Sequence, residues 1–90
     1  MSTLREMVED ALHDDNPGAL FMDGMDSAII GIARQQYQPG LVAYSRSRII
    51  AKLIADFDGS EEEAEEWFSY NIEGAWVGEN TPIIIDDMAE

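Results

Sequence analysis

The order of helical and strand signals along the chain predicts an α+β domain of two layers, about three helices packed on a short, three-stranded, mainly antiparallel sheet. Apolar residues recur at helical spacing in three segments, each behind a serine or threonine placed to cap it. Short β-branched runs lie among them, and turns containing Gly, Pro, Asn or Asp mark the junctions. The 90 residues form one domain over 1–90, in which a helical segment over 1–17 reads as an addition to a core over 18–86. A hydrophobic content of 46% separates the chain from disordered acidic tails, which hold too little apolar material to fold.

The first helix runs from about residue 4 to 14. Thr3 and Glu6 have capping-box spacing, and Leu4, Met7, Val8, Ala11 and Leu12 form the inner stripe behind them. Glu6, Glu9, Asp10, Asp14 and, at its end, Asp15 lie on the outer face with His13 among them, and Asn16-Pro17-Gly18 ends the helix. After the turn at Asp23-Gly24, residues 28–33 (Ala-Ile-Ile-Gly-Ile-Ala) read as a strand. Leu41, Val42, Ala43 and Tyr44 form a second strand, pairing antiparallel with the first around the connection from Gln35 to Gly40.

Ser45 or Ser47 caps a second helix whose stripe is Ile49, Ile50, Leu53, Ile54 and Phe57, with Arg48, Lys52 and Asp56 on the other side. Asp58, Gly59 and Ser60 break it. Ser60 and Glu63 then form another capping box, and a third helix over 61–72 begins with Glu61, Glu62 and Glu63, where the helix dipole favours negative charge. Its stripe is Ala64, Trp67, Phe68 and Ile72, and Gly74 closes it. Pro82 starts an extended piece, and Ile83, Ile84 and Ile85 form a third, buried strand.

Nineteen acidic residues against five basic ones give a net charge of -14. Twelve acids and three bases follow Ser45, so net -9 lies in the C-terminal half. Such a field repels phosphate backbones and anionic membranes, which argues against direct nucleic-acid or membrane binding and makes a basic protein the expected electrostatic partner. The absence of cysteine excludes disulfides, thiol nucleophiles and thiolate metal sites. The N-terminus lacks the basic start and apolar stretch of a signal peptide, and the cytoplasm is the expected location. A domain of this size buries only about 60–65% of its unfolded surface, so a partner or a second copy in a homodimer would add to a marginal stability.

Enzyme chemistry finds no support. His13 has no nucleophile set against it by any motif, and no glycine-rich phosphate loop precedes a helix. Asp56, Asp58 and Ser60 have the spacing of the first calcium-loop ligands, but Glu61 stands where that loop needs glycine and Trp67 where it needs glutamate. Asp23 and Asp26 flank a turn and read as turn-making residues before they read as a divalent-ion pair, even with Glu73 added. No cofactor and no metal are implied. Two interaction surfaces remain. One is acidic: Glu61, Glu62, Glu65 and Glu66 with Asp10 and Asp14. The five carboxylates between Glu61 and Glu66 span about 9 Å of helix, which locally approaches the charge density of duplex DNA. The other is aromatic, Tyr70 and Trp76, with Trp67 and Phe68 assigned to the core.

The segments at 21–31 (Phe-Met-Asp-Gly-Met-Asp-Ser-Ala-Ile-Ile-Gly), 42–44 (Val-Ala-Tyr), 62–68 (Glu-Glu-Ala-Glu-Glu-Trp-Phe) and above all 71–82 (Asn-Ile-Glu-Gly-Ala-Trp-Val-Gly-Glu-Asn-Thr-Pro) resemble a family of small acidic uncharacterised proteins of tailed phages. The resemblance covers about residues 20–85, brings no catalytic residues, and implies a phage or prophage source. Small acidic phage proteins often bind host defence proteins stoichiometrically. The resemblance and the charge together lead to an expected function as an inhibitor of the anti-CRISPR or anti-restriction kind, a nucleic-acid mimic that occupies a basic channel. The competing reading is a phage housekeeping or protein-interaction module whose acidity serves solubility and whose partner docks at Tyr70 and Trp76.

Overall fold

The computed structural model describes residues 3–22, 24–57, 59–73 and 78–87, except for the side chains of Phe57 and Glu73. Thr3 caps helix α1 (Leu4–Asp15), its hydroxyl oxygen accepting the Glu6 N–H at 3.1 Å. Strand β1 (Ile29–Ala33) follows a 3-10 turn over Asp26–Ala28, so Ala28, expected to open the strand, closes that turn instead. Strand β2 (Leu41–Ser45) passes into helix α2 (Arg46–Phe57) with no intervening loop. Of the two candidate caps, Ser45 does the work: its hydroxyl oxygen accepts the Arg48 N–H at 3.2 Å, two residues closer to the strand than Ser47 would allow.

Helix α3 (Glu61–Phe68) is capped by Ser60, whose hydroxyl oxygen accepts the Glu63 N–H at 3.2 Å. The α-helix predicted to run to residue 72 ends at Phe68 and widens into a π-helical turn over Ser69–Glu73. A local competitor explains the change of winding. The Asn71 side-chain amide donates to the Trp67 carbonyl at 3.0 Å, the acceptor that a continuing α-helix would give to the Asn71 N–H. Strand β3 (Ile83–Ile85) completes the sheet in the order β1-β2-β3, antiparallel between β1 and β2 and parallel between β2 and β3.

The α+β architecture with three helices on a three-stranded sheet is therefore as predicted. Its core depends on one irregularity. The β1–β2 register shifts between Ile29 and Gly31, and Gly31, at φ 151°, takes a backbone conformation that side-chain-bearing residues seldom adopt. The extra residue lets Ile29 pair with Tyr44 and Ile32 with Val42, so two isoleucines three apart both reach the core while Ile30 turns outward. Val8 and Leu12 of α1, Ile49, Ile50 and Leu53 of α2, and Ala64 and Phe68 of α3 join Ile29, Val42 and Tyr44 in one apolar cluster.

Three details differ from expectation. Leu4 and Met7 are 40% and 57% exposed, so α1 buries a narrower stripe than its spacing suggests. Trp67, assigned to the core, lies at its margin at 36% exposure, because the next residue, Phe68, takes the inward direction. Strand β3 is an edge strand, half-buried at Ile83 and Ile84 and exposed at Ile85, rather than buried throughout.

Candidate functional site

The five cations of the chain have to serve nineteen acids, and their distribution shapes the surface. Arg5 donates to Glu9 at 2.9 Å and to Asp26 at 2.7 Å while stacking over Phe21, and the Asp26 hydrogen bond in particular raises its pKa. Arg34 donates to Asp15 at 2.6 Å, and Lys52 pairs with Asp56 at 3.0 Å. Arg46 lies over the Phe68 ring, holds both carboxylate oxygens of Glu65, and reaches Asp86 at 3.3 Å. Each of these four cations is spent on a carboxylate of the same chain.

Glu65 is thereby removed from the acidic face predicted for α3: it is half-buried and neutralised by Arg46. Glu61, Glu62 and Glu66 remain exposed, with Glu63 beside them, and no described lysine or arginine pairs with any of the four. The first turn of α3 favours such charge through the helix dipole, whereas Glu62 and Glu66 repel each other at i, i+4 by about 0.2–0.5 kcal/mol. Asp10 and Asp14 are exposed on α1. That helix packs chiefly on β1, whereas α3 packs on α2, so the two acidic groups rest on different supports.

Of the aromatic pair, Tyr70 is 86% exposed on the π-helical turn, and Trp76 lies outside the described residues. Asp23, Asp58 and the side chain of Glu73 also lie outside them. Asp26, the other half of the turn pair, is engaged by Arg5. No group of three or more His, Asp or Glu side chains converges on a metal position among the described residues. His13 is exposed in the last turn of α1. No helix among the described residues is long and apolar enough to cross a membrane.

Two carboxylates have structural roles that the sequence did not announce. Asp87 accepts from the Ser47 hydroxyl at 2.5 Å, the Ser47 N–H at 3.0 Å and the Ser45 hydroxyl at 2.7 Å, which holds its carboxyl well below the usual carboxylate range. It thus fastens the chain after β3 to the start of α2. Asp15, pulled down first by Arg34 and then by the Gly40 N–H at 2.8 Å, ties the end of α1 to the start of β2. Both join residues far apart in sequence, and no local motif marks either pairing.

The chain measures 40 × 32 × 25 Å. Comparison with family models, curated proteins and solved structures finds no match.

Proposed function

We propose that this chain is a phage-encoded acidic inhibitor that binds a basic, nucleic-acid-binding host defence protein, of the anti-CRISPR or anti-restriction kind, in place of nucleic acid. The observation that carries the reading is the exposed, cation-free set of Glu61, Glu62, Glu63 and Glu66 on a capped helix, in a chain whose cations are largely tied to other carboxylates. Solubility alone does not require like charges to be packed at helical spacing on a rigid element, where they repel one another. A basic channel that neutralises phosphates would attract the carboxylates of such a face by the same charge complementarity.

The test has two arms. Expression of the chain in bacteria carrying a defence system should restore plaque formation by a susceptible phage, and the variant Glu61→Gln, Glu62→Gln, Glu66→Gln should lose that effect while keeping its circular-dichroism spectrum. Affinity for the target so identified should fall steeply with salt; an affinity unchanged between low and high salt refutes the mechanism.

A second reading rests on Tyr70, which is almost fully exposed on a π-helical turn, a winding found frequently at functional sites. Here the chain is a small interaction module whose partner docks on that turn. Replacing Tyr70 with Ala would abolish partner binding without loss of stability on this reading, and would leave binding intact on the first.

A further inference from the structure

The face of the sheet turned away from the core carries a cleft that the acidic-face reading does not use. Val42 and Tyr44 belong to the core cluster, so the alternation along β2 sends Leu41 and Ala43 to the opposite face, where Ala33 pairs with Leu41 and Ile83 with Ala43. Ala33, Leu41 and Ile83 contribute an apolar floor to a cleft of about 320 Å³, and Gln35, Gln38 and Glu79 lie around it. That volume stands at the small end of ligand pockets, roughly 300–1,000 Å³, and suits one long side chain.

The walls are braced independently of any ligand. The Asn16 side-chain amide, at one end of the cleft, donates both to the Gly40 carbonyl at 2.9 Å and to the Asn80 side chain at 3.1 Å, and the Asn80 carbonyl accepts the Leu20 N–H at 3.2 Å. Residues 35–45 carry no charge, nor do residues 80–85, so among the described lining residues Glu79 is the one ionisable group. Arg34, next to the lining residue Ala33, is taken by Asp15, and among the described residues no cation pairs with Glu79. The side-chain amides of Gln35 and Gln38 are exposed and make no hydrogen bond among the described residues.

An apolar floor, a single carboxylate and two free amide carbonyls form a set complementary to one kind of group, a cation on an aliphatic stem. Arginine fits it better than lysine. Its guanidinium offers five donors in a plane to several acceptors at once, is more weakly hydrated than an ammonium, and rides on a stem that covers apolar surface. We infer that this cleft is a guanidinium-binding site that takes an arginine side chain of the basic partner, the stem on Ala33, Leu41 and Ile83 and the head between Glu79 and the carbonyls of Gln35 and Gln38. The inference rests on the proposal above that the partner is basic, and it adds to the diffuse attraction of α3 a single anchoring residue, the type of contact in which interface energy concentrates.

The probe is n-butylguanidinium, titrated into the intact 15N-labelled chain at low salt beside its neutral isostere n-butylurea. The guanidinium should shift the backbone amides of Ala33, Leu41 and Ile83 and the side-chain amides of Gln35 and Gln38. It should bind about fivefold tighter than the urea, the factor that an exposed ion pair supplies. In Glu79→Gln, an exposed turn position, that advantage should disappear while the spectrum keeps its dispersion. Equal binding of the two probes to the wild type, an unchanged ratio in Glu79→Gln, or shifts confined to Glu61–Glu66 would each overturn the inference. The last of these leaves the acidic-face proposal standing. Conversely, a target affinity untouched by the glutamine variant of α3 removes that proposal, whatever the probes do at the cleft.

Discussion

Substituting Gly40 with alanine tests the packing between the end of α1 and the start of β2. Gly40 is buried, and a Cβ there would lie 2.7 Å from Ile32 Cγ2, 2.9 Å from Asp15 Oδ2 and 3.1 Å from Arg34 Nη2. Carbon atoms normally approach to about 3.5–4.0 Å, so the methyl overlaps Ile32 by roughly 1 Å. Two movements could relieve it. Ile32 could turn away from the core it packs against, or Asp15 could retreat, loosening its grip on both the Gly40 N–H and Arg34. Overpacking of this kind costs about 1–3 kcal/mol, so a loss of about 2 kcal/mol is expected, with a fall in Tm of roughly 10 °C for a domain of this length. Urea unfolding followed by circular dichroism measures it, with the slope m unchanged.

Gly24 supplies the control, since it has no atom near its Cβ position but sits at φ +75°. Alanine there should cost about 1–2 kcal/mol through the backbone alone, and asparagine less. The two glycines differ in mechanism, so a cycle with Ile32→Ala should be sub-additive for Gly40→Ala and additive for Gly24→Ala. A Gly40→Ala stability within about 0.5 kcal/mol of wild type, or strict additivity with Ile32→Ala, refutes the steric account.

Phe68→Ala removes a ring that is 1% exposed and stacked under Arg46, and should cost about 3–5 kcal/mol in the same urea experiment, a large share of the stability of so small a domain. Ser60→Ala deletes the cap on the Glu63 N–H and should cost about 1 kcal/mol, visible as faster amide exchange in the first turn of α3. Asp87 and Asp15 have lowered pKa values in the folded chain, so the unfolded chain binds more protons as pH falls. Their stabilisation is complete above the ordinary carboxylate range, near pH 4, and is lost as pH drops through the folded values. Asp87→Asn should therefore be less stable than wild type at pH 7 and show a shallower loss on acidification; parallel pH curves for the two proteins would contradict the clamp seen in the structure.

The helices and strands were largely legible because each depends on contacts within a few residues. Thr3 and Ser60 are separated by three residues from the N–H groups they cap, and the stripe Ile49, Ile50, Leu53 closes on itself at helical spacing. Even the departure at Ser69–Glu73 has a local cause, the Asn71 amide on the Trp67 carbonyl, although a side-chain hydrogen bond of this kind leaves no trace in apolar periodicity.

The candidate sites divide along the same line. That α3 would be strongly acidic followed from its residues, because charge is a property of composition and the helix places it outward. Which glutamates stay uncompensated did not, since Glu65 is taken by Arg46, nineteen residues away, and spacing within α3 carries no information about a side chain on another helix. The cleft was likewise invisible: Ala33, Leu41 and Ile83 come from three strands, and only the register of the sheet brings them together. The sequence by itself determined the α+β class, the position of most elements, the caps and the sign of the surface charge, all consequences of local geometry and composition. Tertiary structure alone decided the β1 register at Gly31, the clamps of Asp15 and Asp87, and the pairing of Arg46 with Glu65, because each depends on residues that approach one another only when the chain has folded.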